Sequence, residues 1–304
     1  MSGDCWQPSV GIPVELSGPQ GRWTNGAPAS PLAYLISSLP MSNSSVEREP
    51  SLLAQTIAEF LGTLVLILLG DGVVAMVVLF RKNIPGEVVN GGYTNITLGW
   101  GIAVMFGVYL TAKISGGHLN PAVTIALAAL RGFPWKNVAP YVAAQVAGAF
   151  CGAAIVYWNY RLQFDLVDPA RDHTAGVFTT FPAFPDSPMA GLLDQFIGTA
   201  LLLLCVCAVT DARNSVPGSG FAPILVGLSV VGIGMSFGAI HGYAINPARD
   251  FGPRLFTAVA GFQNNGLTDG SNRFWVPIAG PILGGVAGVF VYDQCIGRFL
   301  KRGN

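Results

Sequence analysis

Ser-Gly-Gly-His-Leu-Asn-Pro-Ala-Val-Thr, residues 115–124, is echoed far along the chain by Gly-Tyr-Ala-Ile-Asn-Pro-Ala-Arg-Asp-Phe-Gly-Pro-Arg-Leu-Phe, residues 242–256. Both stretches contain Asn-Pro-Ala, as Asn120-Pro121-Ala122 and Asn246-Pro247-Ala248, and both lie between long apolar segments. Asn is a favoured N-cap and Pro a favoured first helical residue, so each copy reads as a helix start. The apolar run that follows lasts only about 10 residues, a rise of roughly 15 Å. That is about half of a ~30 Å bilayer core. Two such half-spanning helices, one per half of the chain, can meet end to end at mid-membrane, an arrangement that suits a pore.

Composition agrees with a polytopic membrane protein. Apolar residues make up 51% of the 304 and charged residues 11%, with a mean hydropathy of +0.53; soluble proteins carry about 25% charge. A net charge of zero gives no footing for nucleic acid. The 39 glycines and 21 prolines lie among apolar residues, where they serve close helix contacts and broken helices. Cys5, Cys151, Cys205, Cys207 and Cys295 lack metal-type spacing and read as buried apolar thiols, so neither a metal nor another cofactor is assigned.

Full spans are predicted at about 52–79, 93–112, 138–158, 190–210, 221–241 and 274–296. The expected fold is therefore all-α, with six transmembrane helices and two re-entrant half-helices. Its parts are a largely disordered tail over 1–50, a first channel repeat over 51–160, a connecting loop over 161–188, a second repeat over 189–298 and a short tail over 299–304. Three spans per repeat force the second to insert upside down, the inverted-repeat pattern that brings broken helices together near the midplane. The first span opens Glu59-Phe60-Leu61-Gly62-Thr63 and the fourth Asp194-Gln195-Phe196-Ile197-Gly198-Thr199, which makes Asp194 the counterpart of Glu59. With both termini inside, nine Lys and Arg are cytoplasmic against seven outside, a small bias toward cytoplasmic termini. No basic segment followed by a long apolar stretch marks a cleavable signal peptide.

Residues 52–298 resemble the major intrinsic protein family, specifically its aquaglyceroporin branch. The paired Asn-Pro-Ala boxes and the Ser-Gly-x-His before the first carry the resemblance. So does Asp250, where water-selective relatives usually have a small residue, together with Arg254 and Pro277; Ile278, where that branch usually has Leu, departs from the pattern. The stretches Thr174–Phe178 and Phe181-Pro182 are similar to the long third loop of glycerol facilitators. The resemblance implies a homotetramer in the cell membrane, one pore per subunit, conducting glycerol and water, with urea, ammonia and metalloid acids as further candidates. By spacing from the two boxes it also implies an outer selectivity filter of Trp100, Gly234, Tyr243 and Arg249. Gly234 would leave room where water-selective relatives place His, while Trp100 and Tyr243 would supply an apolar corner opposite Arg249.

Physical chemistry gives these positions their roles. Each half-helix start leaves N–H groups free and carries about half a positive charge, so two facing ends repel cations, hydronium included. The amides of Asn120 and Asn246 can donate to a passing oxygen. Arg249, costly in membrane unless it lines a polar cavity, offers several donors; the alternative is an interfacial arginine salt-bridged to Asp250. Glu59 and Asp194 are expected to accept backbone N–H groups from the non-helical approach to each half-helix, and His118 to brace its loop while touching the pore wall.

A secondary transporter also uses inverted repeats, but it needs an ion-coupling set that Glu59 and Asp194 alone do not make. An enzyme needs a nucleophile–base or metal cluster, and the three histidines lie far apart. A water-selective pore is disfavoured by Gly234 and Asp250. Within the tail, Leu32, Leu35, Ile36 and Leu39 fall on one helical face of an apolar island, residues 31–40. That island is expected to lie on the membrane surface or to cover the inner pore mouth.

Overall fold

The computed structural model describes residues 49–80, 89–215, 217–218 and 220–300. The apolar island of residues 31–40 lies outside them. Among the described residues eight α-helices follow in order: α1 (Leu52–Leu79), α2 (Gly92–Ser115), α3 (Pro121–Leu130), α4 (Trp135–Val167), α5 (Pro188–Thr210), α6 (Ala222–His241), α7 (Pro247–Val259) and α8 (Val276–Cys295). All but α3 and α7 are long and apolar enough to cross a bilayer. The described residues contain no strand.

The six spans lie where the apolar runs place them, with one clear extension. Helix α4 continues to Val167, past both the span end predicted at 158 and the repeat boundary at 160. Its last turns carry Arg161 and Asp165, an i,i+4 pair 3.9 Å apart, so this end is too polar to register as span while remaining helical. Helix α7 runs 13 residues rather than about 10. Pro253 lies inside it and lacks the N–H that would bond the Arg249 carbonyl.

The repeats interlock. Helix α1 packs on α4 and α2 as α5 packs on α8 and α6, while α2 and α6 pack on each other. Each half-helix lies chiefly against the last span of the opposite repeat, α3 on α8 and α7 on α4. Glycines set these contacts. A Cβ on Gly148 would lie 2.2 Å from the Phe60 carbonyl oxygen, and one on Gly284 would lie 2.2 Å from that of Phe196. Along the outside, Leu61, Trp158, Leu162, Leu193, Leu283 and Phe290 stand exposed, an apolar girdle that belongs against lipid.

Candidate functional site: a pore between two half-helices

The half-helices begin where the sequence places them, and their caps link the repeats. Asn120 precedes α3; its Oδ1 accepts from Ala122 N at 2.9 Å and its Nδ2 donates to the Ile245 carbonyl at 2.9 Å. Asn246 precedes α7; its Oδ1 accepts from Ala248 N at 3.0 Å and Arg249 N at 3.2 Å, and its Nδ2 donates to the Leu119 carbonyl at 2.8 Å. Capping and pore roles are therefore compatible. Each amide uses one N–H across the repeat interface and keeps a second. Pro121 and Pro247 occupy the first helical positions and Ala122 and Ala248 the second, where any larger side chain would meet the buried junction.

The residues before each cap are strained. Leu119 and Ile245 have φ of 52° and 44°, a left-handed conformation that costs a β-branched residue most. The structure shows what holds them. Glu59 accepts from Leu119 N at 2.7 Å, His118 N at 3.0 Å and Ser115 Oγ at 2.6 Å, and Gln145 Nε2 donates to it at 2.7 Å. In the second repeat the holder is Gln195, not Asp194. Its Oε1 accepts from Ile245 N at 2.8 Å and its Nε2 donates to the His241 carbonyl at 2.9 Å. The counterpart of Glu59 is thus one residue later than expected. Glu59 and Gln195 both stand three residues before a Gly-Thr pair, whereas Asp194 stands four before and its carboxylate has no well-formed hydrogen bond among the described residues.

His118 lies beside α3 with Nδ1 3.1 Å from Thr124 Oγ1, its ring packed edge-on to Phe133 and tilted against Tyr141. It also borders a cavity of about 400 Å³ within the bundle. One end of this cavity is Trp100, Tyr243 and Arg249; the other is Cys207, Thr210 and Arg131, with Asn120 and Asn246 between them. Leu66, Val108, Leu202 and Val230 line much of the rest. The wall is thus mostly hydrocarbon, with polar groups concentrated at the two loops.

At the Trp100 end the geometry departs from the expected corner. The Arg249 guanidinium carbon lies 3.8 Å from the Trp100 ring centroid, so the donor group stacks on the aromatic face instead of standing across a gap. Arg249 Nη1 also donates to the Phe178 carbonyl at 3.0 Å. Gly234 does not border the cavity. The space its missing side chain leaves is filled by Tyr243: a Cβ there would lie 2.8 Å from two Tyr243 ring atoms and 3.0 Å from Thr97 Cγ2. Tyr93 supports that ring edge-on, and its hydroxyl donates to the Gly234 carbonyl. Width at this level is therefore set by Tyr243 leaning into the vacancy of Gly234.

Asp250 pairs with Arg254, not with Arg249. Arg254 Nε lies 2.8 Å and Nη2 3.0 Å from the Asp250 oxygens, while its Nη1 donates to the Asn265 carbonyl and Nη2 to that of Thr180. Asp250 also accepts from Thr180 N and Oγ1, both at 2.8 Å. This buried pair clamps the 174–182 segment onto α7, and the clamp places the Phe178 carbonyl against Arg249. Pro277 is buried in the first turn of α8. The same segment is anchored at its start by Asp168. Burial pushes this carboxyl upward, but the amides of His173, Asp172 and Thr174 and the Thr174 hydroxyl outweigh it and hold the pKa below the usual value.

At the opposite end, Arg131 holds Asp293 through Nε at 3.1 Å and Nη2 at 2.5 Å. Arg213 holds Asp211 in the same bidentate manner, which keeps that carboxyl well below its ordinary range, and the Tyr292 hydroxyl joins it.

Three contributors escaped the sequence reading. Gln195 was legible by counting back from Gly-Thr. Asp71, an acid in the middle of α1, carried the signal of any ionisable residue inside a span. The Phe178 carbonyl carried none, because its placement depends on the whole loop.

The sequence pattern described as major intrinsic protein matches residues 46–292. The chain belongs to the major intrinsic protein family. Members of this family are channels, not enzymes. This member is 43% identical over 244 residues to Aquaglyceroporin-3 of Trypanosoma brucei brucei, covering 78% of this chain and 77% of the relative. It is 48% identical over 237 residues to the probable glycerol uptake facilitator protein of Thermotoga maritima, covering 78% and 97%. The X-ray structure of the aquaglyceroporin from Plasmodium falciparum superposes with a TM-score of 0.73 at 32% identity, covering 82% of this family member and 99% of that chain.

Proposed function

We propose that this family member is a passive membrane channel for glycerol and other small neutral solutes that also conducts water and excludes protons and ions. The observation that carries the reading is one continuous cavity: two facing Asn-capped half-helices at its middle, and an arginine with two aromatic residues at its end. A triol needs donors for its hydroxyls and an apolar surface for its carbons, and Arg249 beside Trp100 and Tyr243 supplies both. Since the guanidinium rests on the indole, passage of a solute between them requires it to lift. Water passes the centre by accepting from the free amide hydrogens of Asn120 and Asn246. The converging positive helix ends, with Arg249, oppose cations and hydronium.

Trp100, Gly234, Tyr243 and Arg249 form the selectivity filter in this reading, with Asp250, Arg254 and Pro277 bracing it. The protein is a homotetramer in the cell membrane with cytoplasmic termini, and urea, ammonia and metalloid acids are candidate further permeants. Stopped-flow swelling of proteoliposomes tests the function. Glycerol should enter down its own gradient with no ion gradient present. Uptake that requires an imposed proton or sodium gradient would instead identify a coupled carrier.

A further inference from the structure

Asp71 lies on α1 at the level of the outer constriction, in the run Gly70-Asp71-Gly72. It is completely buried, and neither carboxylate oxygen has a hydrogen-bond donor among the described residues. An acid so placed is costly unless a cation compensates it. The nearby cation is Arg249, whose Nη1 lies 3.7 Å from Asp71 Oδ1. Asp250 is also close, but Arg254 and Thr180 occupy both of its oxygens. Gly70, the neighbour of Asp71, abuts the Trp100 ring so closely that a Cβ there would overlap the ring, at 2.2 Å. The guanidinium of Arg249 thus meets both Asp71 and the indole, with Nη1 3.7 Å from Asp71 Oδ1 and its carbon 3.8 Å from the indole centroid.

We propose that Asp71 is a positioning residue of the outer constriction: by attracting Arg249, it holds the guanidinium where it rests on Trp100 and narrows the passage for polyols. The inference rests on the channel reading above. It adds a resident countercharge that sets how often the donor wall and the apolar wall separate. The Phe178 carbonyl and the stacking on Trp100 orient Arg249 as well, but both are neutral, so Asp71 alone among these contacts adds long-range attraction. It follows that, with Arg249 replaced by the smaller Val, water entering the vacated space would let Asp71 ionise beside the pore and favour cations.

Asp71→Asn removes the charge and keeps the shape. In proteoliposomes with equal amounts of assembled protein, its glycerol permeability should rise by roughly three- to tenfold, the scale of one ordinary lost polar contact. Water permeability should change less, because water needs a smaller opening. Asp71→Glu should behave like the parent. In an Arg249→Val background, Asp71→Asn should leave glycerol flux unchanged and lower the proton and cation leak. A purely structural Asp71 would not produce that reversal. Glycerol flux that is unchanged or reduced in Asp71→Asn overturns the proposal, as does an equal rise with or without Arg249. If Asp71→Asn assembles poorly, the double variant carries the test, since removing both members of a buried pair costs less than removing one; a leak as large as that of Arg249→Val alone then refutes it. A parent protein that conducts neither glycerol nor water would instead refute the channel reading.

Discussion

At the scale of single residues, the constriction illustrates how an absent side chain can define a wall. Gly234 contributes no atoms to the cavity, yet Tyr243 occupies its place only because nothing else does. Introducing His at 234 must displace the Tyr243 ring, with Tyr93 behind it and Thr97 beside it, and the open direction is toward the pore. Gly234→His should therefore depress glycerol permeability by at least ~10-fold, the range in which a pocket discriminates by bulk. Water permeability should fall much less. Equal losses for both permeants would mean that Tyr243 does not control width from this position. Trp100, Tyr243 and Arg249 border the cavity and Gly234 does not, and these proposed filter positions were legible through the family resemblance. The contact of Arg249 with Trp100 was not, since it depends on a carbonyl from a loop and a carboxylate from another helix.

Single helical elements depend on how their unusual starts are restrained. The approach to α3 turns through the left-handed conformation at Leu119 and exposes backbone donors that no helix satisfies; Glu59 accepts two of them, one on each oxygen. A glutamine at 59 would turn an NH2 toward one of those N–H groups, leaving it buried without an acceptor at a cost of about 1–3 kcal/mol. Glu59→Gln should thus lower the heat tolerance of the purified protein and reduce water and glycerol flux together, because the distorted segment borders the cavity along its length. Gln195 has the mixed task of one accepted and one donated bond, so an amide suits it and a carboxylate would face the His241 carbonyl. Gln195→Glu should be damaging for the opposite reason. If either exchange left thermal inactivation and flux at parental values, the hydrogen bonds would not be what maintains the half-helix approach. Element positions were readable from apolar length and from the Asn-Pro starts. The register between repeats was not secured by acidity, because the equivalent position is an acid in one repeat and an amide in the other.

For the molecule as a whole, the inverted repeat requires the two halves to share the same helix seams, and the glycines bear this out in detail. Gly148 and Gly152 of α4 meet the carbonyls of Phe60 and Leu64 on α1, while Gly284 and Gly288 of α8 meet those of Phe196 and Ala200 on α5. The same number of residues separates each member of one set from its counterpart in the other. In a bilayer such backbone-to-backbone contact supplies packing that lipid-facing surface cannot, because hydrocarbon outside is as apolar as hydrocarbon inside. A methyl group at Gly148 or Gly284 would sit 2.2 Å from a carbonyl oxygen of a rigid helix, and neither backbone can rotate away as a side chain would. Gly148→Ala and Gly284→Ala should each destabilise the bundle by at least the 1–3 kcal/mol typical of overpacking. Because each seam fixes the spans that carry the opposite half-helix, both should reduce assembled channel and flux in parallel. Gly232→Ala is the control, since a Cβ at that position meets nothing within 4 Å. Yield and thermal aggregation in detergent would check the pair; if the seam variants matched Gly232→Ala, close helix approach would not be what holds each repeat together.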